Sequence, residues 1–130
     1  MRVQVIKILS DHPKEPLVEF QSPYGIGRAI WAESVPELFQ DYNVEYEIPE
    51  TLVWGETIVR MDEETMAITY EENVLLLYGQ LEHVDEDGLG IVRLGESTIL
   101  VEIEALEKGF PLNSYVRLFL KQAVLYDTHS

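Results

Sequence analysis

Apolar and polar side chains alternate along most of this chain with the two-residue period of a half-buried strand. The clearest case is Asn43-Val44-Glu45-Tyr46-Glu47-Ile48, where Val44, Tyr46 and Ile48 face one way and Glu45 and Glu47 the other. Ile99-Leu100-Val101-Glu102-Ile103-Glu104 alternates in the same manner. Shorter β-branched or aromatic runs predict further strands at Val3–Leu9, Leu17–Phe20, Arg28–Ala32, Thr51–Trp54, Ile58–Met61 and Met66–Tyr70. The rhythm continues at Val74–Leu81, Gly90–Leu94, Tyr115–Leu120 and Ala123–Tyr126. Turn formers punctuate it: Ser10-Asp11-His12-Pro13, Ser22-Pro23-Tyr24-Gly25, Asp85-Glu86-Asp87-Gly88 and Gly95-Glu96-Ser97. Asp87-Gly88 is the strongest hairpin signal, because glycine adopts positive φ without steric cost.

Two stretches carry helical signals. Ser34-Val35-Pro36-Glu37-Leu38-Phe39-Gln40 offers an N-cap serine and an early proline, and Ala105-Leu106-Glu107-Lys108-Gly109 is its shorter counterpart. Each has room for about one or two turns.

A shift of 72 residues superposes the pattern on itself. It places Val5 on Leu77, Trp31 on Ile103, Val44 on Val116, Tyr46 on Leu118 and Trp54 on Tyr126, and it brings the two helical stretches together. Each half then reads strand, strand, strand, short helix or loop, strand, strand, an element order that resembles the OB-type barrel. The expectation is an all-β protein of two tandem small barrel-like modules related by pseudo-duplication. The first is 1–56 and the second 73–130, with residues 57–72 forming a connecting hairpin around Asp62-Glu63-Glu64-Thr65. The competing architecture is a single ten-stranded barrel or sandwich, which would enclose a ligand cavity.

Charge narrows the partners. The 130 residues carry 24 acidic and 9 basic side chains, a net charge of −15. It is spread along the chain, at −6 in residues 1–56, −4 in 57–72 and −5 in 73–130. Such a surface repels phosphate backbones and anionic membranes, and it attracts and steers a basic protein. Nucleic-acid binding would need a basic groove from Arg28, Arg93, Arg117 and Lys121. No apolar run approaches the roughly 20 residues that span a bilayer. Lys7 interrupts the N-terminal apolar stretch where a signal peptide needs continuity, and the chain has no cysteine, so a cytoplasmic protein is expected.

Catalytic motifs are absent from this reading. The serines show no nucleophile elbow. Gly25-Ile26-Gly27 leads into a strand, whereas phosphate binding needs a helix N-terminus. Asp85-x-Asp87-Gly88 places its glycine too early for a calcium loop. His12 and His83 lie a module apart, without metal-ligand spacing. No metal, cofactor or catalytic residue is assigned, and a non-enzymatic role is favoured. Trp31, Tyr46, Trp54, Tyr78 and Tyr126 are expected mainly in the core.

The expected function is a small acidic protein-binding module, an inhibitor or immunity-type protein covering a basic partner surface, with self-association left open. Glu45, Glu47, Asp62, Glu63, Glu64, Glu102 and Glu104 are the candidate contacts. The alternative is a small-molecule-binding barrel with Trp31, Tyr46, Trp54 and Leu118 around a cavity.

Overall fold

The computed structural model describes residues 1–10, 14–105 and 112–128. They form twelve strands and no helix: β1 (Arg2–Ile8), β2 (Leu17–Ser22), β3 (Gly25–Trp31), β4 (Asp41–Glu47), β5 (Thr51–Val53), β6 (Ile58–Arg60), β7 (Ala67–Glu71), β8 (Val74–Val84), β9 (Leu89–Leu94), β10 (Ser97–Glu104), β11 (Ser114–Leu120) and β12 (Val124–Asp127). Alternation dictates the faces. Along β10, Ile99, Val101 and Ile103 are buried while Leu100, Glu102 and Glu104 are exposed.

The strands build two barrel-like sheets. The first closes in the order β1-β2-β3-β12-β4, with β4 returning to β1. The second runs β5-β10-β9-β8-β11-β6, and the Trp54–Ile58 bridge between its two short end strands brings it close to closure. A single ten-stranded barrel is therefore not formed, and the four residues expected around its cavity divide between the two sheets. Two barrel-like halves in an OB-like order is the architecture.

The halves exchange their last strands. β12 runs parallel to β3 and antiparallel to β4, completing the first barrel from the far end of the sequence. β5, which follows β4 in sequence, runs parallel to β10 in the second sheet. In both sheets the fifth strand of one half thus lies beside the third strand of the other.

The pairing gives the two halves corresponding strands, but not at the uniform 72-residue shift expected from the pattern, so Val5 does not fall on Leu77 nor Val44 on Val116. β2 and β3 correspond to β9 and β10 at 72 residues, since Leu17 pairs with Ile30 and Leu89 with Glu102. β1 and β8 share a register irregularity, after Val5 in one and Leu81 in the other, which sets their offset at 76. Gln4 then opposes Asp41 as Gln80 opposes Tyr115, an offset of 74 for β4 and β11. Left-handed backbone recurs just after the third strand of each half, at Glu33 (φ 70°) and Ala105 (φ 63°), again 72 apart.

Two local expectations are corrected. Residues 57–72 do not pair as a hairpin: β6 joins β11 and β7 joins β8, so the connector straddles the β11–β8 pair. The six residues Met61–Met66 need to cross about three strand spacings, roughly 14 Å, well within their extended reach. Burial of Ile58 and Ile68 rewards that arrangement. Ser34–Gln40 is not helical either. Its serine accepts a hydrogen bond from Trp31 Nε1 (3.2 Å) instead of capping a helix, and Phe39 takes a left-handed φ of 63°. Most of the counterpart after Ala105 lies outside the described residues, as do Asp11, His12 and Pro13.

One continuous apolar core runs through both barrels. Val5, Phe20, Trp31 and Leu125 belong to the first, and Leu52, Leu77, Val101 and Leu118 to the second. The seam is tight at β7 and the β2–β3 hairpin. Ile68 donates its N–H to the Tyr24 carbonyl (2.9 Å), and a Cβ on Gly27 would lie 2.8 Å from Phe20 and 2.9 Å from Ile68. Of the aromatics expected inside, Trp31 is fully buried, and Tyr46 and Trp54 pack half-buried against the core. Tyr78 and Tyr126 stand on outward positions, opposite Arg117 and Glu45.

Candidate functional site: an acidic groove between the barrels

The outward face of β4 presents Asp41, Asn43, Glu45 and Glu47. The outward face of β10 presents Thr98, Leu100, Glu102 and Glu104. The two faces meet across the barrel junction in a groove of about 630 Å³, lined by Glu45, Glu47, Glu50, Leu89, Leu100 and Glu102 among others. Neighbouring it is a second groove of about 380 Å³ that shares Leu89 and Glu102 and adds Asp85, Asp87 and Glu104. No lysine or arginine lines either one.

Local bonding sets several of these side chains. Thr51 Oγ1 donates to Glu102 Oε2 (3.2 Å), an arrangement that depends on β5 lying beside β10. The Glu50 carboxylate accepts the Lys121 N–H (3.2 Å), tying the loop after β4 to the segment that leads into β12. Asp85 Oδ1 accepts the N–H groups of Asp87 and Leu89 (both 2.9 Å), and Gly88 has a φ of 85°. That is the tight turn expected of Asp-Gly, and it launches β9 at Leu89. On the strand beside β4, a hydrogen bond to Glu47 holds the Tyr126 phenol above its ordinary pKa, with partial burial and the negative charges of Glu47, Glu33 and Glu15 adding to the effect. Burial alone pushes the Tyr46 phenol up.

Apolar surface accompanies the carboxylates. Leu100 is 57% exposed and Leu89 37%. Alternation accounts for Leu100, which sits between Val101 and Ile99 on the wet face of its strand. The arrangement offers carboxylates at two-residue intervals on both walls with exposed leucines among them, a combination suited to binding.

Of the seven sequence-predicted contacts, Glu45, Glu47, Glu102 and Glu104 border this pair of grooves. Asp62 and Glu64 line a different one of about 280 Å³, with Arg60, Gln80 and Tyr115, and Glu63 is exposed on the same loop. Sequence reasoning missed Leu89, Leu100, Glu50, Asp85 and Asp87 as members of the site. An apolar residue at an outward strand position was the available signal for Leu100. Among the cations considered for nucleic acid, Arg28 pairs with Glu19 (3.3 Å) and lies over Tyr70, Arg93 pairs with Glu82 (2.9 Å), and Arg117 lies over Phe119. These three make intramolecular contacts, although Arg117 Nε has no hydrogen-bond partner, and the fourth, Lys121, is exposed.

Among the described residues no cluster of three or more His, Cys, Asp or Glu side chains has the geometry to hold a metal ion, and no helix is long and apolar enough to cross a membrane. Comparison with protein-family models, curated proteins and solved structures finds no match for this chain.

Proposed function

We propose that this is an acidic, cytoplasmic protein-binding module that receives a basic segment of another protein in the groove between its barrels, as an inhibitor or immunity-type cover. The observation that supports this is the meeting of Glu45 and Glu47 with Glu102, far apart in sequence, around exposed Leu89 and Leu100 without a single cation. Carboxylates two residues apart on a strand lie roughly 6.5–7 Å from one another, the repeat of same-face side chains in an extended peptide. Lysine or arginine on one face of such a peptide would match them, and the leucines would receive its apolar side chains. Electrostatic complementarity of this kind mainly accelerates association and makes it sensitive to salt.

A synthetic peptide of alternating lysine and leucine is the probe, followed by amide chemical shifts of the full-length protein. Binding is expected to perturb β4 and β10, to weaken with salt, and to fall at least about tenfold in the E45K/E47K/E102K variant. The control is E63K/E64K/E72K, which changes the net charge equally on another surface. Equal loss in both variants would mean that the peptide senses overall charge, and the groove would no longer be the site.

A further inference from the structure

The loop between β3 and β4 exposes three large apolar side chains within five residues: Val35 (52%), Leu38 (47%) and Phe39 (67%). Elsewhere in the described residues, large apolar side chains exposed to this degree occur singly along the sequence. The loop is nevertheless held firmly. Trp31 Nε1 bonds Ser34, the Glu37 N–H donates to Tyr42 Oη (2.8 Å), and the Tyr42 ring packs edge-on against buried Trp31. Both backbone groups of Phe39 are engaged by β1: its N–H donates to the Val5 carbonyl (2.7 Å) and its carbonyl accepts from Gln4 Nε2 (3.0 Å). Its φ of 63° is a sterically unfavourable conformation for an aromatic residue. Strain of this kind persists only where its surroundings impose it, and it clusters at functional positions.

The fold gains little burial from Phe39, two thirds of which is exposed, yet it fixes the backbone that presents the ring. Pre-organised aromatic side chains lose little freedom on binding and commonly anchor interfaces. Charge indicates the partner. Residues 29–59 contain seven acidic and no basic side chains, and Glu33 and Glu37 stand beside the apolar cluster. Asp41, where the loop meets β4, is paired with Arg2 (2.9 Å), and the outward face of β4 carries the acidity on through Glu45 and Glu47 to the groove. We infer that Phe39, with Val35 and Leu38, is the apolar anchor of the interface, entering a pocket rimmed by lysine or arginine on the same basic protein whose segment occupies the groove. This rests on the binding role proposed above. It adds a division of labour: the glutamates govern association, and the loop governs dissociation.

The test uses Phe39→Gly, because glycine keeps the left-handed backbone without its steric cost. A photo-crosslinking phenylalanine analogue placed at position 39, and separately at 45, in the full-length protein captures the partner in its native cell. The captured protein is then purified and its binding kinetics measured. The same protein is expected at both positions. Phe39→Gly should leave the melting temperature unchanged or raise it, and should increase the dissociation rate at least about 30-fold, as loss of a hot-spot residue does. Its association rate and salt dependence should stay as in the wild type. E45K/E47K should show the converse, with slower association at low salt. Loss of the E45K/E47K effect alone would count against the groove and spare the anchor. An unchanged dissociation rate in Phe39→Gly, adducts at position 39 only with chaperones or a second copy of this chain, or no adduct there would overturn the anchor. A fall in melting temperature would do so as well, since it would make the ring structural.

Discussion

Gly27 shows how tightly individual residues are fitted where the barrels meet. A methyl group there would approach Phe20, Ile68 and Leu75 to 3.0 Å or less. Gly27→Ala should therefore cost about 1–3 kcal/mol by overpacking, measurable by urea denaturation. Trp31 presents the opposite case, a fully buried residue at the end of β3 in the first barrel. Trp31→Ala should cost about 3–5 kcal/mol, and release of Ser34 should loosen the Phe39 loop, seen as increased proteolysis there. Tyr126 offers a titration. Its phenol pKa is raised above 10.0, chiefly by its hydrogen bond to Glu47. A group whose folded pKa is raised adds stability that is present below the unfolded value and lost as pH climbs through the folded one. Glu47→Gln should move the Tyr126 midpoint back toward 10.0, followed by tyrosinate absorbance. Sequence pattern identified Glu47 as outward-facing, but its tyrosine neighbour lies 79 residues further along the chain, a distance over which periodicity carries no information.

Strand identity was legible for a physical reason: alternating burial forces alternating chemistry, and the twelve apolar runs correspond to the twelve strands. Partnership was not. A strand's sequence records which face is wet, and records weakly which edge is paired with what. Ile58–Arg60 and Ala67–Glu71 illustrate this, since each alternates well enough for a hairpin while their buried residues in fact serve the β11–β8 pair. The helical expectation for Ser34–Gln40 failed because local capping signals were outweighed by the bond from Trp31 and the clamp on Phe39. The exchanged strands supply the sharpest test at this scale. Leu125→Ala in β12 removes a fully buried side chain, and should cost about 2–5 kcal/mol. Amide protection should fall first in β3 and β4, which β12 pairs, before it falls in β10 and β11.

At the scale of the whole molecule, a shared core and two crossed strands couple the barrels. The protein's two tryptophans report on them separately, Trp31 in the first and Trp54 in the second. Trp31→Phe and Trp54→Phe variants, each with one remaining fluorophore, should unfold in urea with coincident midpoints once each variant's own stability change is accounted for. Separate transitions would mean that the exchange couples the barrels only weakly. The candidate groove belongs to this level as well. Its glutamates could be listed from the sequence, but their meeting depends on how β4 and β10 are brought together across two sheets. The exchange also has a consequence in time, during synthesis. β4 ends at Glu47 and β12 begins at Val124. At 5–20 residues per second, the ribosome needs roughly 4–15 s to cover that interval. Throughout it the first four strands of the chain wait with an open seam and apolar side chains uncovered, while β5, already made, waits for a sheet not yet begun. The newborn chain is thus most exposed to chaperones and to sticky neighbours in mid-translation, and its first barrel closes only after every strand of the second has been made.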